Sequence, residues 1–209
     1  MSSNVLKWIL PLHIKHRREK RDIFFNVLEP SPPDSLLDVG GGTGSILGEF
    51  ASLYDFFHEV QVVNVRPQCF SNSSLPCVRF SIADGCALPY PNRSFDWVFS
   101  NAVIEHVGNK QRQVQFAAEI RRVARKGYFL ATPNRAFPVD PHTLLPFYHF
   151  LSPSLQRRIC RLSLGYTRRY EPLDLLSKAG LLRLFPEATV QHCGFPVLPN
   201  NLVAYYRRD

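Results

Sequence analysis

The sequence has few cysteines and no long hydrophobic run. Five cysteines are spread over 209 residues without a CxxC pair, so we expect neither a disulfide framework nor a zinc site, and no other metal. The apolar stretch Val5–Ile14 contains Lys7 and Pro11 and is too short to span a bilayer. Basic residues follow this stretch, whereas a signal peptide has them in front. We expect a cytoplasmic protein that is at most peripheral to a membrane.

Acidic residues are in the minority. The chain has 25 Lys and Arg against 17 Asp and Glu, a formal net charge of +8. This balance favours an anionic partner, which includes nucleic acid, an anionic membrane surface or a phosphorylated substrate. The densest basic cluster is Lys15–Arg21, and Arg168 and Arg169 form another. Such clusters are usually solvated faces, but residues 5–21 also have the composition of a segment that contacts an anionic membrane.

Strand and helix patterns alternate from Ser35 onward. Short apolar runs predict seven strands, at Ser35–Val39, Val60–Val65, Val78–Ala83, Phe95–Ser100, Gly127–Ala131, Phe185–Cys193 and Leu202–Arg207. Helical spacing predicts helices at Lys20–Leu28, Thr43–Tyr54, Gln111–Ala124, Leu155–Leu164 and Pro172–Ala179, the last capped by Gly180. This alternation indicates an α/β fold with helices on both faces of a mostly parallel sheet.

The patterns divide the chain into a flank and one domain. Residues 1–34 are expected to form a helical flank, and residues 35–209 the domain itself. Within the domain, the segment 132–164 begins with five prolines in Thr132–Ser154 and breaks the alternation. We expect it to be an insertion that forms a lid over the bound substrate.

A glycine-rich loop follows the first strand. The run is Asp38-Val39-Gly40-Gly41-Gly42-Thr43-Gly44, and a helix pattern starts directly after it. Glycines let a ligand approach the backbone, and the first turn of a helix offers free N–H groups. The dinucleotide fingerprint G-x-G-x-x-G fails, because its third glycine falls on Ser45 or Leu47. The loop therefore predicts a cofactor site of another kind.

Three further motifs follow in order. They are Asp84 to Pro89 (DGCALP), Ser94 to Val98 (SFDWV) and Val103 to Val107 (VIEHV). Together with the glycine loop, they resemble the type 11 subfamily of the class I S-adenosylmethionine-dependent methyltransferases over about Ser35 to Ala131. This resemblance implies a Rossmann-like three-layer sandwich with a seven-stranded, mostly parallel sheet and an antiparallel C-terminal strand. It also implies an enzyme that uses S-adenosylmethionine as its cofactor.

The resemblance assigns roles to individual residues. Gly40, Gly42 and Gly44 would shape the loop around the methionine part of the cofactor, and Asp38 would lie near its ammonium group. Asp84 would accept a hydrogen bond from the adenine amino group, beside Gly85 and Cys86, and Asn101 would meet the methionine part. Asn64 stands where the family usually has an acid that binds both ribose hydroxyls. Because an amide is neutral, we expect weaker binding of the cofactor.

Two histidines are the catalytic candidates. His106 follows the fourth strand, and His142 lies in the insertion beside Asp140. Either can serve as a general base for an acceptor that must lose a proton. A structural histidine in the turn at Ile104–Val107 explains His106 equally well, and an ordinary loop histidine explains His142. His149, Tyr148 and Arg135 are further candidates for the acceptor pocket.

The acceptor remains open on the sequence alone. The aromatic, proline-rich insertion favours a small molecule or a metabolite linked to a lipid or a sugar. The net charge favours RNA as an alternative, although no RNA-binding module is appended. A third alternative is a non-catalytic cofactor-binding or scaffold protein, for which Asn64 is the sequence support.

Overall fold

A seven-stranded sheet organises the structure, which is a computed structural model describing residues 3–42, 51–67, 77–165 and 167–208. The strands are β1 (Ser35–Val39), β2 (Glu59–Asn64), β3 (Val78–Ile82), β4 (Phe95–Asn101), β5 (Ala124–Pro133), β6 (Thr189–Cys193) and β7 (Asn201–Arg207). Their order is β3-β2-β1-β4-β5-β7-β6. β7 runs antiparallel to both of its neighbours, and all the other pairings are parallel. The predicted sheet, with its antiparallel strand near the C-terminus, is confirmed.

Five helices accompany the sheet in the described part of the chain. They are α1 (Ser3–Leu28), α2 (Ala51–Phe56), α3 (Lys110–Val123), α4 (Pro153–Ile159) and α5 (Lys178–Leu184). Short 3-10 helices cover Ile104–His106, Tyr148–Phe150 and Cys160–Leu162. Among the helices described, none combines the length and the apolarity that crossing a bilayer requires.

The sheet buries both of its faces. Successive strand residues point to opposite sides, so Leu36 packs with Phe24 of α1 on one face, while Leu37 packs with Phe116 and Ile120 of α3 on the other. All of these side chains are fully buried. This two-sided burial explains why the strands are continuous apolar runs, and it confirms the predicted three layers.

The prediction of a helix at Pro172–Ala179 is wrong. The backbone reaches Ser177 without a helix, and α5 begins at Lys178. The Ser177 side chain caps this helix by accepting a hydrogen bond from the Gly180 N–H at 3.2 Å. Gly180 thus lies in the first turn of a helix, not after the last one. The residue that indicates the start of this helix is Ser177, because serine is a preferred N-cap residue.

The segment after β5 folds as an excursion from the sheet. β5 continues to Pro133, so the excursion begins two residues later than the predicted insertion, and it returns to the regular fold at α5. Asn134 ties its base to the loop before β7, because its N–H donates to the carbonyl of Asn200 and its side-chain amide to the carbonyl of Pro199, at 2.9 and 2.8 Å. This places the excursion beside the carboxyl ends of β4 and β5.

Candidate functional site

The first part of the site is the turn that follows β1. Gly40 has a φ of +86°, and a Cβ there would lie 2.3 Å from Cγ2 of Val103. Its N–H donates to the carbonyl of Val63 at 2.7 Å. A Cβ on Gly42 would meet no atom of the described residues within 4 Å. Gly40 is therefore required by the packing of the protein, and Gly42 faces open space. Gly44, predicted to belong to the same site, lies outside the described residues.

Asp38 lies buried beneath this turn. Its carboxylate accepts a hydrogen bond from the hydroxyl of Tyr54, and only 5% of the residue is exposed. Burial raises the pKa of Asp38 to about 7, and the bond from Tyr54 offsets part of that rise. No cationic side chain among the described residues forms an ion pair with it. A cationic ligand is the group that this environment would stabilise most.

Asn64 at the end of β2 holds the glycine turn. Its side-chain amide donates to the carbonyls of Gly40 and Gly41, at 3.2 and 3.0 Å. Its Oδ1 accepts from the N–H of Arg66 at 3.2 Å, which leaves one lone pair on that oxygen. The ionised carboxylate of an Asp or Glu at this position could not donate to either carbonyl. The departure from the family pattern thus has a structural role, and one acceptor position remains for a hydroxyl group.

We expect Asn64→Asp to destabilise the protein in the absence of any ligand. The change removes two hydrogen bonds and places a carboxylate beside two carbonyl oxygens, which should lower the free energy of unfolding by about 1–3 kcal/mol. Urea denaturation measures the difference. Asn92→Asp is the matched control, because Asn92 accepts a hydrogen bond from Arg122 and a carboxylate can do the same. Equal stability of the two variants would contradict the role of Asn64.

Asp84 and its neighbours form the opposite wall. Both carboxylate oxygens of Asp84 accept from Nη2 of Arg112, at 2.9 and 2.8 Å, and Oδ1 also accepts from the Cys86 N–H. The hydrogen bond from Arg112 is the main reason that the pKa of Asp84 lies below its usual value. Its side chain is 42% exposed, and Oδ2 retains a lone pair for another donor.

Cys86 and Gly85 contribute packing to this wall. The Cys86 thiol donates to the carbonyl of Arg112 at 3.3 Å, and burial raises its pKa to about 11, which excludes a thiolate at neutral pH. A Cβ on Gly85 would lie 2.6 Å from the ring of Phe116. Val65 and Ile82, by contrast, are more than 60% exposed at the same edge of the sheet. They offer apolar surface beside the acceptor oxygens of Asn64 and Asp84.

The first helix reaches the site through Lys20. The Lys20 ammonium donates to Oδ1 of Asn101 at 3.0 Å, and burial lowers the pKa of this lysine. One turn of α1 earlier, His16 packs against the ring of Phe195, with the ring centroids 5.2 Å apart. Glu19, which directly precedes Lys20, accepts a hydrogen bond from the N–H of Gly194 at 3.2 Å. Asn101 is therefore covered by α1, a contact that the sequence did not reveal.

The two predicted histidines lie in contact. The rings of His106 and His142 meet edge to face, with centroids 4.9 Å apart. Nδ1 of His106 lies 3.3 Å from a carboxylate oxygen of Glu171. Burial lowers the pKa of His142, and the neighbouring His106 lowers it further. The excursion thus brings His142 to the end of β4, and the neutral form of its ring is favoured.

Glu105 is the buried acid behind this pair. It is fully buried and accepts from the hydroxyl of Thr132 at 2.9 Å, while its Oε1 has no hydrogen-bond partner among the described residues. Burial raises its pKa, and the charges of His106 and Lys20 oppose that rise. Its position agrees with a carboxylate that orients the loop.

The other residues proposed for the acceptor pocket serve the excursion itself. The hydroxyl of Tyr148 donates to the carbonyl of Gln156 at 3.3 Å, and Tyr148 is buried. Nε2 of His149 lies 3.0 Å from the carbonyl oxygen of Arg135. In the part of the chain that is described, no three His, Cys, Asp or Glu side chains are placed to hold a metal ion.

The site can hold a flat nucleoside with a cationic tail. The acceptor oxygens of Asp84 and Asn64 suit an amino group and a hydroxyl group, and the exposed Val65 and Ile82 suit an aromatic ring. The buried carboxylate of Asp38 forms no ion pair with a cationic side chain of the described residues. These groups converge on the carboxyl ends of parallel strands, where ligands of α/β proteins bind.

Comparison with known proteins adds a family to this geometry. Residues 37–132 match the model of a family described as a methyltransferase domain. The match covers β1 to β5, and so includes both walls of the site and His106, while α1 and the excursion lie outside it.

Three similar proteins extend the comparison. Ajmaline N-methyltransferase of Rauvolfia serpentina is 31% identical over an alignment of 158 positions that covers 68% of this chain and 52% of that protein. The tRNA (carboxymethyluridine(34)-5-O)-methyltransferase of Saccharomyces cerevisiae is 28% identical over 120 residues, 57% of this chain and 42% of that protein. The chain thus spans about half of these relatives. A crystal structure of 1,6-didemethyltoxoflavin-N1-methyltransferase from Burkholderia thailandensis, with bound 1,6-didemethyltoxoflavin and S-adenosylhomocysteine, shares the fold, with a TM-score of 0.61 and 18% identity over 92% of this chain and 78% of that one.

Proposed function

We propose that this chain, which belongs to the type 11 family of class I S-adenosylmethionine-dependent methyltransferases, methylates a small molecule or a metabolite linked to a lipid or a sugar. The observation that carries this proposal is the contact between His106 and His142. These rings come from separate segments and meet at the end of β4, beside the strand end that holds Asn101. The similarity to ajmaline N-methyltransferase supports the same class of acceptor.

The described residues fit S-adenosylmethionine as the cofactor. Asp84, Gly85 and Cys86 would hold the adenine side and Asn64 the ribose. The methionine side would fall to Asp38, Asn101 and the glycines Gly40 and Gly42. When bound, the cofactor supplies a methyl group on an activated sulfonium. The chain then has to orient the acceptor and exclude water, which the cover of α1 over Asn101 favours.

The histidine pair would handle the proton of the acceptor. A hydroxyl acceptor must lose a proton, and a neutral imidazole within reach can accept it. Because burial lowers the pKa of His142, this ring stays available as a base at neutral pH. His106 lies beside it and faces Glu171, so it can stabilise the charge that develops. An amine acceptor that is already neutral would need the pair less.

Label transfer from methyl-tritiated S-adenosylmethionine tests the proposed function. The chain is incubated with the small-molecule, lipid and RNA fractions of an extract from the cells that make it. We expect label in the small-molecule or lipid fraction. Label in RNA alone would replace the proposal with the RNA alternative, which the tRNA-modifying relative makes concrete. Binding of S-adenosylhomocysteine without transfer to any fraction would favour the scaffold alternative.

His142→Ala should then lower turnover on a hydroxyl acceptor by about 10²–10⁴-fold, the usual contribution of a general base. The affinity for S-adenosylhomocysteine, measured by isothermal titration, should stay unchanged. His192→Ala is the matched control, because His192 is an exposed histidine on β6. Full turnover by His142→Ala would remove this residue from the mechanism, and the same measurement on His106→Ala would separate the two rings.

A further inference from the structure

The segment 141–170, called here the arginine segment, carries positive charge without negative charge. It holds no Asp or Glu, and its arginines are Arg157, Arg158, Arg161, Arg168 and Arg169. All five are exposed, and none forms an ion pair with a carboxylate of the described residues. Glu171 directly follows the segment and lies against His106. Because no carboxylate within the segment offsets the charge of the five arginines, the segment attracts anionic surfaces.

The same segment exposes large apolar side chains. Five of the eleven large hydrophobic residues that are exposed in the described structure lie within these 30 residues. They are Phe147, Phe150, Leu155, Leu162 and Leu164, with exposures of 61, 50, 41, 68 and 59%. Single exposed apolar residues are normal on a protein surface. A concentration of them in a seventh of the chain indicates contact with another apolar phase.

Hydrogen bonds fold the arginine segment onto itself. The N–H groups of Leu164 and Gly165 donate to the carbonyl of Thr143, at 2.9 and 3.0 Å, and the hydroxyl of Ser163 donates to the same oxygen. The guanidinium of Arg157 lies over the ring of Tyr170, with its Cζ atom 4.9 Å from the ring centroid. The beginning and the end of the segment are therefore held together, and the exposed apolar and basic side chains belong to one folded unit.

We propose that the arginine segment binds the surface of an anionic lipid bilayer. Arginine keeps its charged end among the lipid head groups while leucine and phenylalanine enter the boundary of the acyl chains. RNA fits the pattern less well, because a single-stranded RNA surface relies on aromatic side chains that stack on bases. Leu155, Leu162 and Leu164 cannot stack. The surface differs from residues 5–21, the stretch for which the sequence alone indicated membrane contact.

Co-sedimentation with lipid vesicles tests this proposal without any methyl transfer. The full chain is mixed with vesicles of phosphatidylcholine and phosphatidylglycerol, and separately with vesicles of phosphatidylcholine alone. We expect sedimentation with the mixed vesicles, and we expect added salt to weaken it, because salt screens the attraction. No sedimentation with the mixed vesicles would overturn the proposal, as would equal sedimentation with both kinds. Binding to an RNA oligonucleotide in place of vesicles would also overturn it.

Paired variants assign the binding to the arginine segment. The double variant Arg168→Gln/Arg169→Gln should lower the partition coefficient about thirty-fold, since each basic residue near an anionic membrane contributes a factor of about five. Leu162→Ser/Leu164→Ser should lower it at least about ten-fold, through lost burial in lipid. The controls are Arg79→Gln/Lys110→Gln for charge and Val114→Ser for apolar exposure, all at exposed positions elsewhere. A loss as large in the controls would contradict the assignment.

Discussion

Asp38→Asn is expected to stabilise the ligand-free protein strongly above neutral pH and much less in mild acid. Burial raises the pKa of Asp38 to about 7 in the folded protein, whereas an unfolded chain has an Asp pKa of about 4. As the pH falls through 7, the folded protein binds a proton that the unfolded chain does not bind, and the folded state gains stability. Above pH 7 the buried charge is fully present, and its cost is on the order of 4 kcal/mol.

The substitution removes that charge and keeps the shape of the side chain. The amide oxygen of Asn can still accept the hydrogen bond from Tyr54, so the gain should be about 4 kcal/mol near pH 8. It should fall to about 1–2 kcal/mol near pH 5, where only the unfolded chain is ionised. Denaturation in urea at about pH 8 and at about pH 5 measures it. Asp55→Asn is the control, because Asp55 is exposed on the same helix as Tyr54. A difference between Asp38→Asn and the wild type that is the same at both pH values would contradict the argument.

The same carboxylate should couple ligand binding to proton release. A cationic ligand group beside Asp38 favours the ionised form and lowers its pKa, so binding of S-adenosylhomocysteine between about pH 5 and 7 should release a proton. Titration in two buffers of different ionisation enthalpy detects it. Asp38→Asn should bind the same ligand more weakly and release none. The substitution that stabilises the fold thus weakens the proposed site.

Gly40→Ala should be among the most destabilising single substitutions in the molecule. The new Cβ would lie 2.3 Å from Val103, at a φ of +86° that L-residues rarely adopt. The left-handed backbone costs about 1 kcal/mol, and overpacking adds about 1–3 kcal/mol. We expect the free energy of unfolding to fall by the sum of both effects in a urea titration. Gly42→Ala, in the same turn, should have little effect, because its Cβ meets none of the described atoms.

A double-mutant cycle separates the two contributions. Val103→Ala opens space for the new Cβ, so Gly40→Ala should cost less in that background, by about 1–2 kcal/mol. The remaining cost belongs to the backbone angle and to the Cβ of residue 103, which Val103→Ala keeps and which lies 3.1 Å from the added Cβ. If the cost of Gly40→Ala were the same with and without Val103, the steric explanation would be excluded. Gly42→Ala in the Val103→Ala background should show no coupling.

The strand ends and the glycine turn could be predicted from the sequence because their signals are local. A buried parallel strand is a short apolar run, and the residues at its end follow within one or two positions. The sequence therefore predicts that four polar residues lie at one edge of the sheet, namely Asp38, Asn64, Asp84 and Asn101. The register of the strands then confirms that arrangement, with Asp38 opposite Val62 and Asn64 opposite Ile82.

The side-chain partners in the site could not be predicted in the same way. Lys20 and Asn101 are 81 positions apart, and Asp84 and Arg112 are 28 apart. Only the packing of α1 and α3 on the sheet brings them together. Lys20 belongs to a basic cluster whose composition predicts a solvated helix face, but two members of that cluster, Lys20 and His16, are buried. Similarly, the sequence predicts that Gly180 ends a helix, although it lies in the first turn of α5, because a glycine alone does not distinguish the first turn of a helix from the residue after the last.

The docking of α1 sets an order of events when the chain is made. Glu19 of this helix is held by Gly194, 175 positions later, and Phe24 packs in the same cluster as Val203 of β7. At a synthesis rate of about 5–20 residues per second, the helix waits roughly 10–35 s for these partners. During that time Phe24 can pack on the parts of the sheet that are made earlier, such as Leu36 and Phe99, but the surface of β7 is still missing. The helix therefore completes its docking only after the last strand has been made.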